Sequence, residues 1–105
     1  MPLKLTVYGD ALAENFRRMQ QMRPKSEIAA VVKANAYGLG FENVVPALTR
    51  AGCETFFVNR IDEGAAVRRL DANARVFVLD ALIGGETPAD YAARGLIPVF
   101  STIEA

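Results

Sequence analysis

Four short apolar runs recur along the chain, each followed by a Gly or polar turn and a stretch of helical length: Ile28 to Val32, Thr55 to Val58, Arg75 to Leu79 and Leu96 to Phe100. Their centres, Val31, Phe57, Phe77 and Val99, stand 26, 20 and 22 residues apart, close to a compact strand-helix-strand unit. Ile28 to Val32 and Val76 to Leu79 are nearly continuous in apolar character instead of alternating, which predicts strands covered on both faces, as in parallel sheets. Right-handed crossovers follow. The expected fold class is therefore α/β, with about four parallel βα units. An open doubly wound sheet and the first half of a closed (β/α)8 barrel both accommodate that pattern.

The helix punctuation agrees with the runs. Leu12, Phe16 and Met19 lie at helical spacing behind Asp10, a competent N-cap, and Pro24 closes the segment. The stripe is expected in the core. Asn43 as the next N-cap would put Pro46 at the third helical position, where a missing N–H has no intrahelical partner to lose, and Gly52 ends that helix. Asn59, with Asp62 and Glu63 behind it, places acidic groups on the positive first turn of a helix running to about Leu70. Thr87, Pro88 and Asp90 repeat the signal before Tyr91, and Gly95 terminates it. Arg68 and Arg69 read as a solvated helix face. A further capping box, Ser101 to Glu104, stands immediately before Ala105, so residues 1–105 are expected to be a single partial domain, a piece of a longer protein.

Composition then narrows the chemistry. Zero histidines exclude the Ser-His-Asp and Cys-His mechanisms, His-ligated zinc and imidazole acid-base work. Any chemistry falls to Lys, Tyr or carboxylates. The single cysteine, Cys53, allows neither an internal disulfide nor a multi-Cys metal site, and reads as a small packing residue; no metal is expected. Twelve basic residues balance twelve acidic ones, giving no surplus for a nucleic-acid backbone. No apolar run approaches the roughly 20 residues of a membrane span. Residues 1 to 10 carry no export pattern. A cytoplasmic protein with neither nucleic-acid nor membrane partners is expected.

In α/β folds ligands collect at the carboxyl ends of the strands, here Lys33 to Gly40, Asn59 to Asp62, Asp80 to Gly85, and Ser101. The first segment is the most informative: Lys33 ends an apolar strand, Tyr37 follows four residues later, and Gly38 and Gly40 flank Leu39. A neutral amine can form a Schiff base with a carbonyl cofactor such as pyridoxal phosphate, and a phenol can donate to a phosphate oxygen. A strand-end lysine reaching solvent above an ordinary turn fits the same residues. The glycines also evoke a dinucleotide fingerprint, but its third glycine would fall at Asn43. Gly84 and Gly85 read as a plain loop.

The run Val31-Val32-Lys33-Ala34-Asn35-Ala36-Tyr37-Gly38-Leu39-Gly40 closely resembles the pyridoxal-phosphate attachment motif of the bacterial alanine racemase family, usually V-V-K-A-N-A-Y-G-H-G. The likeness continues through Asp10-Ala11-Leu12 with Asn15, Phe56 to Val58 with Asp62-Glu63-Gly64, Val76 to Leu79, and Ile97 to Val99. It covers nearly the whole chain in order, yet only about the first third of a family member. Related decarboxylases share the Val-Lys-Ala-Asn run, whereas Ala36 to Gly40 favours the racemase.

The resemblance implies the amino-terminal part of a (β/α)8 barrel, pyridoxal phosphate as cofactor, alanine as small-molecule substrate, and a homodimer. Lys33 resembles the lysine that holds the cofactor and serves as one of two bases at the α-carbon; Tyr37 resembles the phosphate-contacting tyrosine. Leu39 stands where the family usually has histidine, and Asn35 matches the motif without an expected direct contact. The second base, a tyrosine of the partner subunit in the family, and an arginine facing the pyridine nitrogen have no counterparts here; Tyr8 and Tyr91 lie outside the strand-end loops. The expected function is a segment of an enzyme interconverting L- and D-alanine, catalytically incomplete alone. The alternative is a noncatalytic βα module that self-associates without productive cofactor binding.

Overall fold

The structure is a computed structural model and describes residues 9–38, 40–80 and 85–99, with the side chains at positions 10, 34 and 37 outside that description. Its elements follow in the order α1 (Gly9–Met22), β1 (Ala30–Val31), α2 (Lys33–Tyr37), α3 (Phe41–Ala51), β2 (Thr55–Val58), α4 (Ile61–Leu70), β3 (Arg75–Val78), α5 (Pro88–Ala93) and β4 (Ile97–Pro98). The four strands form one parallel sheet in the order β1-β2-β3-β4. That order separates the two architectures left open by the sequence. A doubly wound sheet reverses its strand order partway, whereas each strand here is laid beside its predecessor, as in a barrel. Crossovers of one hand then put the helices on a single face. Accordingly α1 packs on α3, α3 on α4, and α4 on β2 and β3.

The strand side chains divide between the two faces. Phe56, Val58, Val76 and Val78 point to the helices and are fully buried, each contributing about 1.5–3 kcal/mol of apolar burial. The other face carries a row in register across all four strands, Val31, Phe57, Phe77 and Ile97. The Phe57 and Phe77 rings stack there with centroids 4.9 Å apart. Val31 and Ile97, at the two ends of the row, remain 46% and 38% exposed. Coverage on both faces, expected from the continuous apolar runs, is thus not found among the described residues. The run records the apolar character of both faces, but singly wound helices cover only one.

Several boundaries differ from the sequence reading. Gly9 and Asp10 are already inside α1, so Asp10 is a first-turn residue and not the cap. Phe16 is buried and Leu12 half-buried, but Met19 is 53% exposed, so the stripe enters the core at its first two positions and not at its third. Helix α3 begins at Phe41, two residues before the expected Asn43 cap, so Pro46 is interior. The missing N–H is that which would have bonded the Glu42 carbonyl; Glu42 is exposed, and water can satisfy it. Burial of Phe41, Val44, Val45 and Leu48 outweighs that one lost bond. Inside α4, a Cβ at Gly64 would meet the end of the Leu96 side chain at 3.0 Å, so a larger residue there needs Leu96 to shift.

The cap of α4 falls on Arg60, one residue after Asn59, with Asp62 and Glu63 in the first turn as expected. Gly52 closes α3 in a left-handed cap, and Thr87 Oγ1 accepts the Asp90 N–H while Asp90 Oδ2 accepts the Thr87 N–H at 2.7 Å. Ser101 to Glu104 lie outside the described residues.

At the amino ends of β2 and β3, a polar cluster borders the open face. Thr55 donates its hydroxyl to Glu27, Arg75 donates to Thr55 Oγ1 at 3.0 Å, and Arg75 also pairs with Glu27. The Thr55 hydrogen bond first, then the Arg75 guanidinium, hold the Glu27 carboxyl below the ordinary carboxylate value. A carboxyl that binds its proton less tightly when folded stabilises the fold above its unfolded value, and loses that contribution as pH falls through the folded value. The denaturant midpoint should therefore decline on acidification below the usual carboxylate range. Glu27→Gln should flatten that decline in part, since Asp62 and Asp90 are lowered as well. Superimposable pH profiles for the two proteins would contradict the coupling.

Candidate active site

Because the strands are parallel, their carboxyl ends share one edge of the sheet, and Lys33, Asn59 and Asp80 are brought to it. The edge is tied by backbone hydrogen bonds: Val32 N–H to the Phe57 carbonyl at 2.9 Å, Leu79 N–H to Val58 at 2.7 Å, and Asp80 N–H to Asn59 at 3.1 Å. Lys33 follows Val32, which is 2% exposed, and is the first residue of α2. It is half-buried. Among the described residues the ion pairs are Arg18–Glu14, Arg60–Asp62 and Arg75–Glu27, so no described carboxylate pairs with Lys33.

The segment after Lys33 is not an ordinary turn above a strand end, one of the readings that the sequence leaves open. It makes one short helical stretch, Lys33–Tyr37, in which Asn35 and Ala36 have φ of 53° and 57°. These are the described non-glycine residues with positive φ. Such backbone costs of order 1–3 kcal/mol per residue and persists where surroundings impose it; asparagine tolerates it far better than alanine. Ala36 is buried and its N–H donates to the Val32 carbonyl at 2.9 Å. Asn35 accepts twice, the Gly40 N–H on its carbonyl at 2.9 Å and the Phe41 N–H on Oδ1 at 3.0 Å. Gly40, with φ 92°, then turns the chain into α3. No capping pattern in the sequence announces this: the acceptor stands six residues before its donor, outside the spacing of ordinary helix caps.

Tyr37 is the last residue of α2, and its side chain is outside the description; Leu39, Tyr8, Gly84 and Ser101 lie outside the described residues. Tyr91, which the sequence did not place at the site, is 1% exposed in the core. Asp62 and Glu63 are occupied structurally. Glu63 Oε1 accepts the N–H groups of Asn59 and Arg60 at 2.9 and 3.0 Å, and Asp62 is paired with Arg60 at 2.6 Å. Hydrogen bonding from Arg60 lowers the Asp62 carboxyl. Burial pushes the Cys53 thiol up, and its Sγ donates to the Thr55 carbonyl at 3.4 Å. Arg68 corrects the solvated-face reading: its guanidinium donates to the carbonyls of Asp71, Ala72 and Gly95 at 3.2, 2.9 and 2.6 Å. It ties the end of α4 to the turn before β4, and of the two arginines Arg69 alone is exposed.

A lysine at the carboxyl end of β1, in a strained turn on a singly wound parallel sheet, is thus the chemically distinctive feature of the edge. The family model described as alanine racemase, N-terminal domain, matches residues 7–105. The chain belongs to the alanine racemase family. A catabolic alanine racemase of Agrobacterium fabrum is 48% identical over 102 residues, 95% of this chain and 26% of that protein. An alanine racemase of a Methylobacterium strain is 44% identical over 101 residues. Among solved structures, alanine racemase from Bartonella henselae with covalently bound pyridoxal phosphate superposes with a TM-score of 0.81 at 38% identity, covering 88% of this chain and 26% of that one. The chain spans about a quarter of the length of the curated relatives it matches. The likeness to the alanine racemase family and its barrel domain accords with the sequential strand order. Among the described residues no helix is long and apolar enough to cross a membrane.

Proposed function

We propose that this chain is the cofactor-carrying segment of an alanine racemase, one that interconverts L- and D-alanine with pyridoxal phosphate held by Lys33. The observation that supports it most is the position of Lys33: a half-buried primary amine, without a described carboxylate partner, at the strand end where a barrel gathers its ligands. A primary amine so placed fits a carbonyl cofactor. When bound, that cofactor supplies an electron sink for the charge that develops at the substrate α-carbon. Lys33 would hold it in place, and its Nζ would accept or return the α-proton on one face of the substrate. Tyr37, which matches the phosphate-contacting tyrosine of the family motif, would offer its hydroxyl to a phosphate oxygen. Leu39 offers no polar contact where the family usually has histidine. A second base on the opposite face comes from outside residues 1–105.

Adding pyridoxal phosphate to the chain should give a visible absorption band that saturates. A band that grows in proportion to added cofactor, as free lysine gives, would count against the reading. Residues 1–105 act as one partial domain in this account. A cytoplasmic setting is favoured by the lone free thiol, Cys53.

We further propose that the chain self-associates as a homodimer. Support comes from β1 and β4, the two outer strands of the sheet, and from the apolar row that ends on exposed Val31 and Ile97. Interfaces of about 1,600 Å² commonly hold at micromolar concentration or below. Sedimentation velocity over a dilution series should show a dimer that dissociates on dilution; an 11.4 kDa monomer at every concentration would contradict it.

A further inference from the structure

We propose that Asn35 is a positioning residue for the cofactor lysine: it clamps the chain between the end of β1 and the start of α3, and so fixes where Lys33 and Tyr37 stand. The inference rests on the reading of Lys33 as the amine that holds pyridoxal phosphate.

Three ties enclose Lys33. Upstream, the Val32 N–H is bonded to the Phe57 carbonyl at 2.9 Å, which anchors the residue before Lys33 to β2. Across it, the Ala36 N–H reaches back to the Val32 carbonyl at 2.9 Å. Downstream, the two acceptors of Asn35 hold the Gly40 and Phe41 N–H groups at 2.9 and 3.0 Å. Phe41 is buried and opens an eleven-residue helix packed in the core, so the downstream tie is made to a fixed point. The carboxamide satisfies one of the N–H groups that a helix start leaves unbonded.

The residue type follows from two demands at once. The backbone at position 35 has φ 53°, which glycine, asparagine and aspartate adopt at lower cost than alanine. The side chain must also present an acceptor, which excludes glycine and alanine. Asn35 is itself exposed, so it fills no core space. Its side-chain contribution is the clamp, and losing the clamp frees the segment that carries Lys33 and Tyr37 without opening the core.

Asn35→Asp, Asn35→Gly and Asn35→Ala separate these demands. Two measurements are made on the 105-residue chain: hydrogen exchange at the Phe41 amide without cofactor, and titration with pyridoxal phosphate read from the visible band. Asn35→Gly and Asn35→Ala should speed Phe41 exchange and weaken cofactor binding by about fivefold, the change in equilibrium that a lost helix cap corresponds to. Asn35→Asp should restore both. Faster Phe41 exchange with unchanged cofactor affinity would overturn the positioning role, leaving Asn35 as a helix cap. Failure of Asn35→Asp to restore binding would overturn it as well. A Lys33→Ala chain that keeps the wild-type band would remove the cofactor reading and this role with it. That failure is told apart from the clamp's own because Phe41 exchange would still respond to Asn35.

Discussion

Lys33→Ala should abolish the saturable visible band that pyridoxal phosphate gives with the chain, while leaving the fold intact. Three lysines compete for the aldehyde, Lys4, Lys25 and Lys33. Lys25 is exposed in the turn after α1, before β1 and away from the edge formed by the carboxyl ends of the strands. Lys33 sits half-buried at the strand edge, between the Val32 and Asn35 ties, and an amine held near its partner reacts as though the partner were concentrated around it. The effect of removing it is therefore close to all-or-none in the saturable component, with a weak, proportional background left from the other amines. Because the Lys33 side chain belongs to none of the described ion pairs or to the buried apolar cluster, the unfolding midpoint should change little. An unchanged band in Lys33→Ala would move the attachment elsewhere.

The second large effect concerns turnover by the 105-residue chain. Inversion at an α-carbon needs one group to take the proton from one face and another to return it on the other. Histidine is absent from the sequence, Tyr91 is enclosed in the core and Asp62 is paired with Arg60, so Lys33 is the base assigned at the strand edge and the proton on the other face has no assigned group among the described residues. Loss of a positioned proton-transfer group forfeits about 10² to 10⁴ in rate, and enzymes commonly turn over at about 1–10³ per second. D-alanine formation from L-alanine, measured with cofactor present, should therefore fall at least about a hundredfold below enzymatic rates. Robust turnover by this chain would show that it supplies both bases.

The parts of the fold that declared themselves in the sequence are those governed by local rules. Thr55 to Val58 and Arg75 to Val78 are strands where continuous apolar runs placed them, and Thr87, Gly52 and Gly95 cap helices through contacts within a few residues. What stayed hidden depends on distant partners. Pro46 reads as a first-turn residue until Asn35 is seen to accept the Phe41 N–H and start α3 earlier. Arg68 reads as a surface charge until β4 brings the Gly95 carbonyl beside it. The open face could not be told from a covered one, because Phe57 and Phe77 are as apolar as Phe56 and Val76 and only the strand order says which side the helices take. At the candidate site, the sequence singles out Lys33 by its motif and by its place after an apolar run. The left-handed turn at Asn35 and Ala36 is not legible there, since neither residue type requires it.

The most direct test is reduction of the chain with borohydride in the presence of pyridoxal phosphate, followed by peptide mapping. The Lys33 amine condenses with the aldehyde with loss of water, and borohydride adds hydride at that carbon, leaving a stable secondary amine. The account predicts that the adduct lies in the peptide containing Lys33, in preference to those containing Lys4 and Lys25. Equal labelling of all three lysines would contradict it and favour a noncatalytic βα module that does not hold the cofactor productively.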